Sequence, residues 1–216
     1  MNQSFKLSKQ LSFGEELANS ITHAVGSALM LILLPISAIY SYQAYGVKAS
    51  VGVSIFVISL FLMFLSSTIY HAMSYNSPQK YVLRIIDHSM IYIAIAGSYT
   101  PVALSLVGGW LGYLIIVLQW GTTIFGILYK IFAKKINDKF SLFLYLLMGW
   151  LVIFIFPAII TKTGPAFWLL MLAGGLSYTI GAVFYAKKRP YFHMIWHLFI
   201  LLASALQYIA IVYYML

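Results

Sequence analysis

Apolar residues run along the chain in seven long stretches, roughly 17–42, 51–74, 82–106, 110–132, 140–161, 164–186 and 191–215, with short polar breaks between them. A helix that crosses a bilayer needs ~20 apolar residues, and every stretch meets that length. Turn-forming residues punctuate the breaks: Tyr75-Asn76-Ser77-Pro78 closes the second stretch, Gly108-Gly109 divides the third from the fourth, and Gly164-Pro165 opens the sixth. The pattern predicts an all-α, polytopic membrane protein: a seven-transmembrane-helix bundle over residues 17–216, preceded by a short segment, 1–16. Phe5, Leu7, Leu11 and Phe13, interleaved with Lys6 and Lys9, fit either a short interfacial helix or a plain tail. The tail has no apolar h-region, so it does not read as a cleavable signal. Pro35, Pro101 and Pro157 fall inside spans and predict kinks, with Gly97–Pro101 loosening the third. Gly121 with Gly126, and Gly174-Gly175 with Gly181, predict close-packed helix faces.

Composition supports the same class. The chain is 62% apolar and 8% charged, whereas soluble domains are about half apolar and a quarter charged. The absence of cysteine excludes a disulfide scaffold. A net charge of +9 does not point to nucleic acid, because the basic residues are spread through short inter-helix segments. Their distribution instead predicts orientation. Lys6, Lys9, Lys80, Arg84, Lys130, Lys134, Lys135, Lys139, Lys187, Lys188 and Arg189 fall on one side, against Lys48 and Lys162 on the other. By the positive-inside rule the N-terminus is cytoplasmic and the C-terminus outside, in a multi-pass protein of the cell (plasma) membrane.

Ionisable groups within spans are costly, at least ~2.5 kcal/mol each on insertion scales, and so are functional candidates. All five histidines lie in spans, as does Asp87. His193 and His197 are four residues apart and share a helix face, a spacing at which two imidazoles can hold one metal. Ser67 and His71 repeat it, and Glu16, Asn19 and His23 form one stripe of the first span. Given the predicted topology, His71, Ser67, Asp87, His193, His197 and His23 all fall ~5–10 Å inside the cytoplasmic end of their helices. Three imidazoles with an open fourth position form the ligand set of catalytic zinc, and a set without cysteine suits zinc, iron or manganese. Asp87 beside an activated water is a hydrolytic arrangement, with Ser67 able to bond the same water or a carbonyl. His23 is expected as a polar partner in the cavity, and His88, ~100° around the helix from Asp87, in a supporting role. Glu16 and Asn19 fit either that support or a capping role at the start of the first helix.

These blocks resemble the bacterial hemolysin III proteins, a branch of the progestin and adipoQ receptor (PAQR) superfamily. The matching residues are Glu16-x2-Asn19-x3-His23-x2-Gly26, Ser67-x3-His71, Asp87-His88-Ser89 running on to Ala96-Gly97-Ser98-Tyr99-Thr100-Pro101, and His193-x3-His197. The resemblance implies a seven-helix bundle inverted relative to G-protein-coupled receptors, with zinc (Zn2+) near the cytoplasmic side. Its ligands would be His71, His193 and His197, with Asp87 and Ser67 catalytic and His23, Glu16, Asn19 and His88 around them. The wider clan resembles the alkaline ceramidases, which implies a zinc-dependent hydrolase acting on a membrane lipid amide or ester. Two alternatives stay open: a non-enzymatic sensor of membrane lipid state with structural zinc, and a pore-forming, cytolytic protein. The expected partner in each case is membrane lipid, as substrate or ligand, and a homo-oligomer is also left open.

Overall fold

The computed structural model describes residues 10–75, 77–133 and 136–215. Eight α-helices build seven spans long and apolar enough to cross a membrane among these residues: α1 (Phe13–Tyr45), α2 (Val47–Ala72), α3 (Pro78–Pro101), α4 (Gly109–Phe132), α5 (Asp138–Trp150) with α6 (Val152–Ile159), α7 (Pro165–Ala186) and α8 (Phe192–Tyr213). The expected interfacial helix falls mostly outside the described residues, as do Asn76, Lys134 and Lys135.

Local chemistry sets the helix ends. Ser12 caps α1: its Oγ accepts from the Glu15 amide at 3.2 Å, and Glu15 Oε2 accepts from the Ser12 amide at 3.0 Å, a reciprocal capping box. The first helix therefore begins at Phe13, four residues ahead of its apolar run. Because Glu15 takes the capping role, Glu16 is free to point inward. Gly46, at φ 79°, is the whole connection between α1 and α2, a left-handed conformation that favours glycine. Ser77 caps α3 ahead of Pro78 in its first turn.

Packing turns the usual globular pattern inside out. Along α1 the large apolar residues Leu17, Ile21, Val25, Leu29, Ile32, Ile36 and Ile39 are exposed, while Asn19, His23, Gly26, Ser27, Ser37 and Ser41 are buried. An apolar outer face suits hydrocarbon, and several of the polar side chains inside bond across helices. Ser37 pairs with Tyr208 at 2.7 Å, Tyr178 with Ser204 at 2.9 Å, and Tyr145 donates to the His88 carbonyl at 2.7 Å. In bilayers such bonds average only ~0.6 kcal/mol, so they specify partners more than they stabilise them. α2 and α3 are the most enclosed helices; α1 packs on α2 and α8, α8 on α7, and α5 closes against α3, α4 and α7.

Two spans are irregular. After Pro101 the third span continues as a π-helical segment, Val102–Val107, since proline lacks the N–H that would extend the α-helical ladder. Lys162 Nζ donates to its terminal carbonyls, Leu106 O at 3.0 Å and Val107 O at 3.4 Å. The fifth span breaks at Leu151, not at Pro157, which sits inside α6. Gln119 Nε2 donates to Met148 O at 3.0 Å and Tyr99 Oη to Gly149 O at 2.7 Å, so side chains from α4 and α3 take carbonyls that would otherwise carry the helix through. Of the expected close-packed glycines, Gly126, Gly174 and Gly181 do meet neighbouring helices, whereas Gly121 and Gly175 face open space.

Candidate metal centre

Four helix ends converge at one end of the bundle: the start of α1, the end of α2, and the starts of α3 and α8. His71 occupies the last turn of α2, and His193 and His197 the first two turns of α8. Ring centroids stand 5.1 Å apart for His71–His193, 5.1 Å for His71–His197 and 4.7 Å for His193–His197. One nitrogen from each ring lies within 4.8 Å of the others, the one group among the described residues arranged to hold a metal ion.

The surroundings decide which nitrogens face inward. His71 Nδ1 lies 2.6 Å from Glu16 Oε2, and a carboxylate can only accept, so the proton sits on Nδ1 and the Nε2 lone pair is free. His197 Nδ1 donates to the Asn19 carbonyl at 3.2 Å, with Thr22 Oγ1 at 3.4 Å. A carboxylate or carbonyl behind the ring is the usual support of a metal-binding imidazole. Nε2 of His71 and Nε2 of His193 are buried with no hydrogen-bond partner. Orphaned acceptors of this kind are rare in native interiors unless something else satisfies them, and here the donor set fits a cation such as zinc.

The other expected residues gather around the three rings. His23 lies flat against His197, centroids 3.6 Å apart at 6°, and edge-on to Phe64 at 5.1 Å. Its nitrogens fall outside the three-ring group, and both are buried without partners. Asn19 is fully buried, and neither its side-chain nitrogen nor its oxygen is paired; Ser67 Oγ, one turn from His71, is likewise unpaired. Gly26 lets α1 approach this closely: a Cβ there would stand 2.7 Å from Leu201 and 3.0 Å from Phe64. Asp87 is buried, with Oδ2 3.1 Å from His88 Nδ1, and within electrostatic range of His71 and His23. His88 Nδ1 also lies 2.9 Å from Arg84 O, which fixes the ring against its own helix.

Two buried lysines escaped the sequence reading, which assigned both to loops. Lys80 Nζ lies 2.6 Å from Glu16 Oε1. Lys130 Nζ donates to Ser141 Oγ at 3.0 Å and stands 5.8 Å from the centre of the Tyr145 ring. The available signal for Lys80 was its place two residues after Pro78, inside the first helical turn. Next to the centre lies an apolar cavity of about 360 Å³ between α3, α5, α6, α7 and α8. Trp196 and Tyr145 line it; Trp196 also packs 4.8 Å from His193, so one indole stands between the cavity and that imidazole.

Fold and site together define a seven-span helical membrane protein with a buried three-histidine group. The chain matches the family model described as Haemolysin-III related over residues 11–208. It is 40% identical to Hemolysin-3 homolog of Bacillus subtilis (strain 168) over 93% of this chain and 94% of that one. It is also 40% identical to Hemolysin-3 of Bacillus cereus, over 94% and 92% of the two chains. At 30% identity it resembles the human Monocyte to macrophage differentiation factor, over 91% of this chain and 83% of that one. The chain belongs to the haemolysin III-related family, the family its motif blocks resemble.

Proposed function

We propose that the protein is a zinc-dependent hydrolase of a membrane lipid amide or ester. The observation that carries this reading is the convergence of His71, His193 and His197, with buried, unpaired Nε2 atoms on His71 and His193, beside an apolar cavity. These three imidazoles would hold the ion, which when bound supplies Lewis-acid chemistry, polarising a carbonyl and acidifying water. Glu16 orients His71, and the Asn19 carbonyl orients His197. Asp87 takes the proton from the attacking water on its carboxylate, whose Oδ2 is paired with His88. Ser67 donates a hydrogen bond from its hydroxyl to the scissile carbonyl, Asp87 passes the proton it has taken to the departing amine or alcohol, and the cavity between α3 and α7 receives an acyl chain and excludes bulk water.

Purified protein tests this directly. Elemental analysis is expected to find about one zinc per chain, falling to near zero in His193→Ala/His197→Ala, as expected of a three-ligand site. Against a panel of ceramides, N-acyl lipids and phospholipid esters, the wild type is expected to turn over one class. Asp87→Asn is expected to retain zinc and fold but lose at least ~100-fold in rate, the usual contribution of a general base. Zinc-loaded protein that hydrolyses nothing in such a panel overturns the reading. The names of the two Bacillus relatives motivate a lytic alternative. Liposome leakage unaffected by Asp87→Asn would favour it.

A further inference from the structure

Lys80 is 1% exposed, a depth that an ammonium group almost never reaches unpaired. Its Nζ donates to Glu16 Oε1 at 2.6 Å and to Met73 O at 2.9 Å, and it stands 4.9 Å over the Tyr70 ring. The other Glu16 oxygen receives the Nδ1 proton of His71 at 2.6 Å. One carboxylate thus bridges an ammonium and an imidazole, one oxygen to each. The chain of contacts joins α3 to α1 to α2, and the Met73 carbonyl that Lys80 takes is the one just past the end of the helix bearing His71.

We propose that Lys80 is a positioning residue of the metal centre: by anchoring Glu16, it holds the His71 ring with Nε2 turned toward His193 and His197. A carboxylate gripped on one oxygen only can rotate about its terminal torsion, which is broad for glutamate. Gripped on both, it presents Oε2 to Nδ1 in a single orientation. Charge-assisted hydrogen bonds are the stronger kind, and partners behind a ligand commonly govern metal affinity 10–100-fold. The inference rests on the three histidines holding zinc, as proposed above.

Zinc affinity of the full-length protein in detergent, measured on the folded, monodisperse fraction by competition with a chromophoric chelator, tests it. Melting temperatures of the zinc-free and zinc-loaded forms accompany each variant. Lys80→Met is expected to weaken zinc binding about 10–100-fold and to shrink the zinc-dependent rise in Tm, with Lys80→Arg restoring most of both. In a Glu16→Gln background, Lys80→Met is expected to add less than about twofold, since the two act through one path. Unchanged zinc affinity with both melting temperatures lowered equally would reduce Lys80 to a helix tie and overturn the proposal. If Lys80→Met does not fold, Lys80→Gln carries the same comparison, and failure of both to fold in the presence of zinc likewise overturns it. Wild-type protein that takes up no zinc overturns the reading of the histidines and this proposal with it. Equal uptake by wild type and Lys80→Met overturns this proposal alone.

Discussion

At the residue scale, the sharpest division among the histidines is between rings with a partner behind them and rings without. His71 and His197 each have one nitrogen committed to an oxygen acceptor. His23 has neither nitrogen committed and uses its face instead, stacked on His197. Replacing His23 by Phe should therefore keep the stack, and zinc content measured by elemental analysis should stay near that of the wild type. Replacing His71 by Phe should abolish it. Part of this was legible beforehand: four-residue spacing, helix geometry and the predicted topology bring His71, His193 and His197 toward one end of the bundle, where the three rings meet. Lys80 was not legible, because hydropathy assigns a charge near a span end to the loop. Only the fold reveals that Glu16 on a distant helix is waiting for it.

At the element scale, helix-to-helix distance is set by small residues at particular heights. Gly52 on α2 faces the backbone of α3, where an added Cβ would stand 2.7 Å from Pro101 Cα. Backbone cannot step aside as a side-chain tip can. Gly52→Ala is expected to destabilise the bundle by ~1–3 kcal/mol through overpacking. Gly121→Ala, which meets nothing within 4 Å, should instead stabilise α4 by up to ~1 kcal/mol through helix propensity. Thermal unfolding in one detergent compares the two. The spans were plain in the apolar pattern, yet the break at Leu151 was not. It depends on donors from Tyr99 and Gln119, residues far away in sequence whose aim no local rule reveals. Proline, the one visible signal in that span, sits six residues past the break.

At the scale of the whole molecule, an odd number of spans places the two ends of the described chain on opposite faces. From the lysine distribution we propose that the histidine end faces the cytoplasm. With no native cysteine, a single cysteine introduced at Lys187 should be protected from an impermeant maleimide in intact cells, and one at Val47 should be labelled. The reverse pattern would invert the topology. Lys80 and Lys130 belong to the basic side by position, but both are sealed within the bundle. The orientation signal therefore rests on the remaining loop charges.

The order of the helices has a consequence for biogenesis. Two of the three imidazoles arrive on α8, the last helix of the bundle to leave the ribosome, long after His71 has entered the membrane. No nascent intermediate ending before α8 holds more than one member of the triad, so the proposed zinc site could be filled only after translation of that helix. Premature termination between α3 and α8 would leave the Glu16–Lys80 pair behind His71 alone, a membrane-inserted product without the rest of the triad.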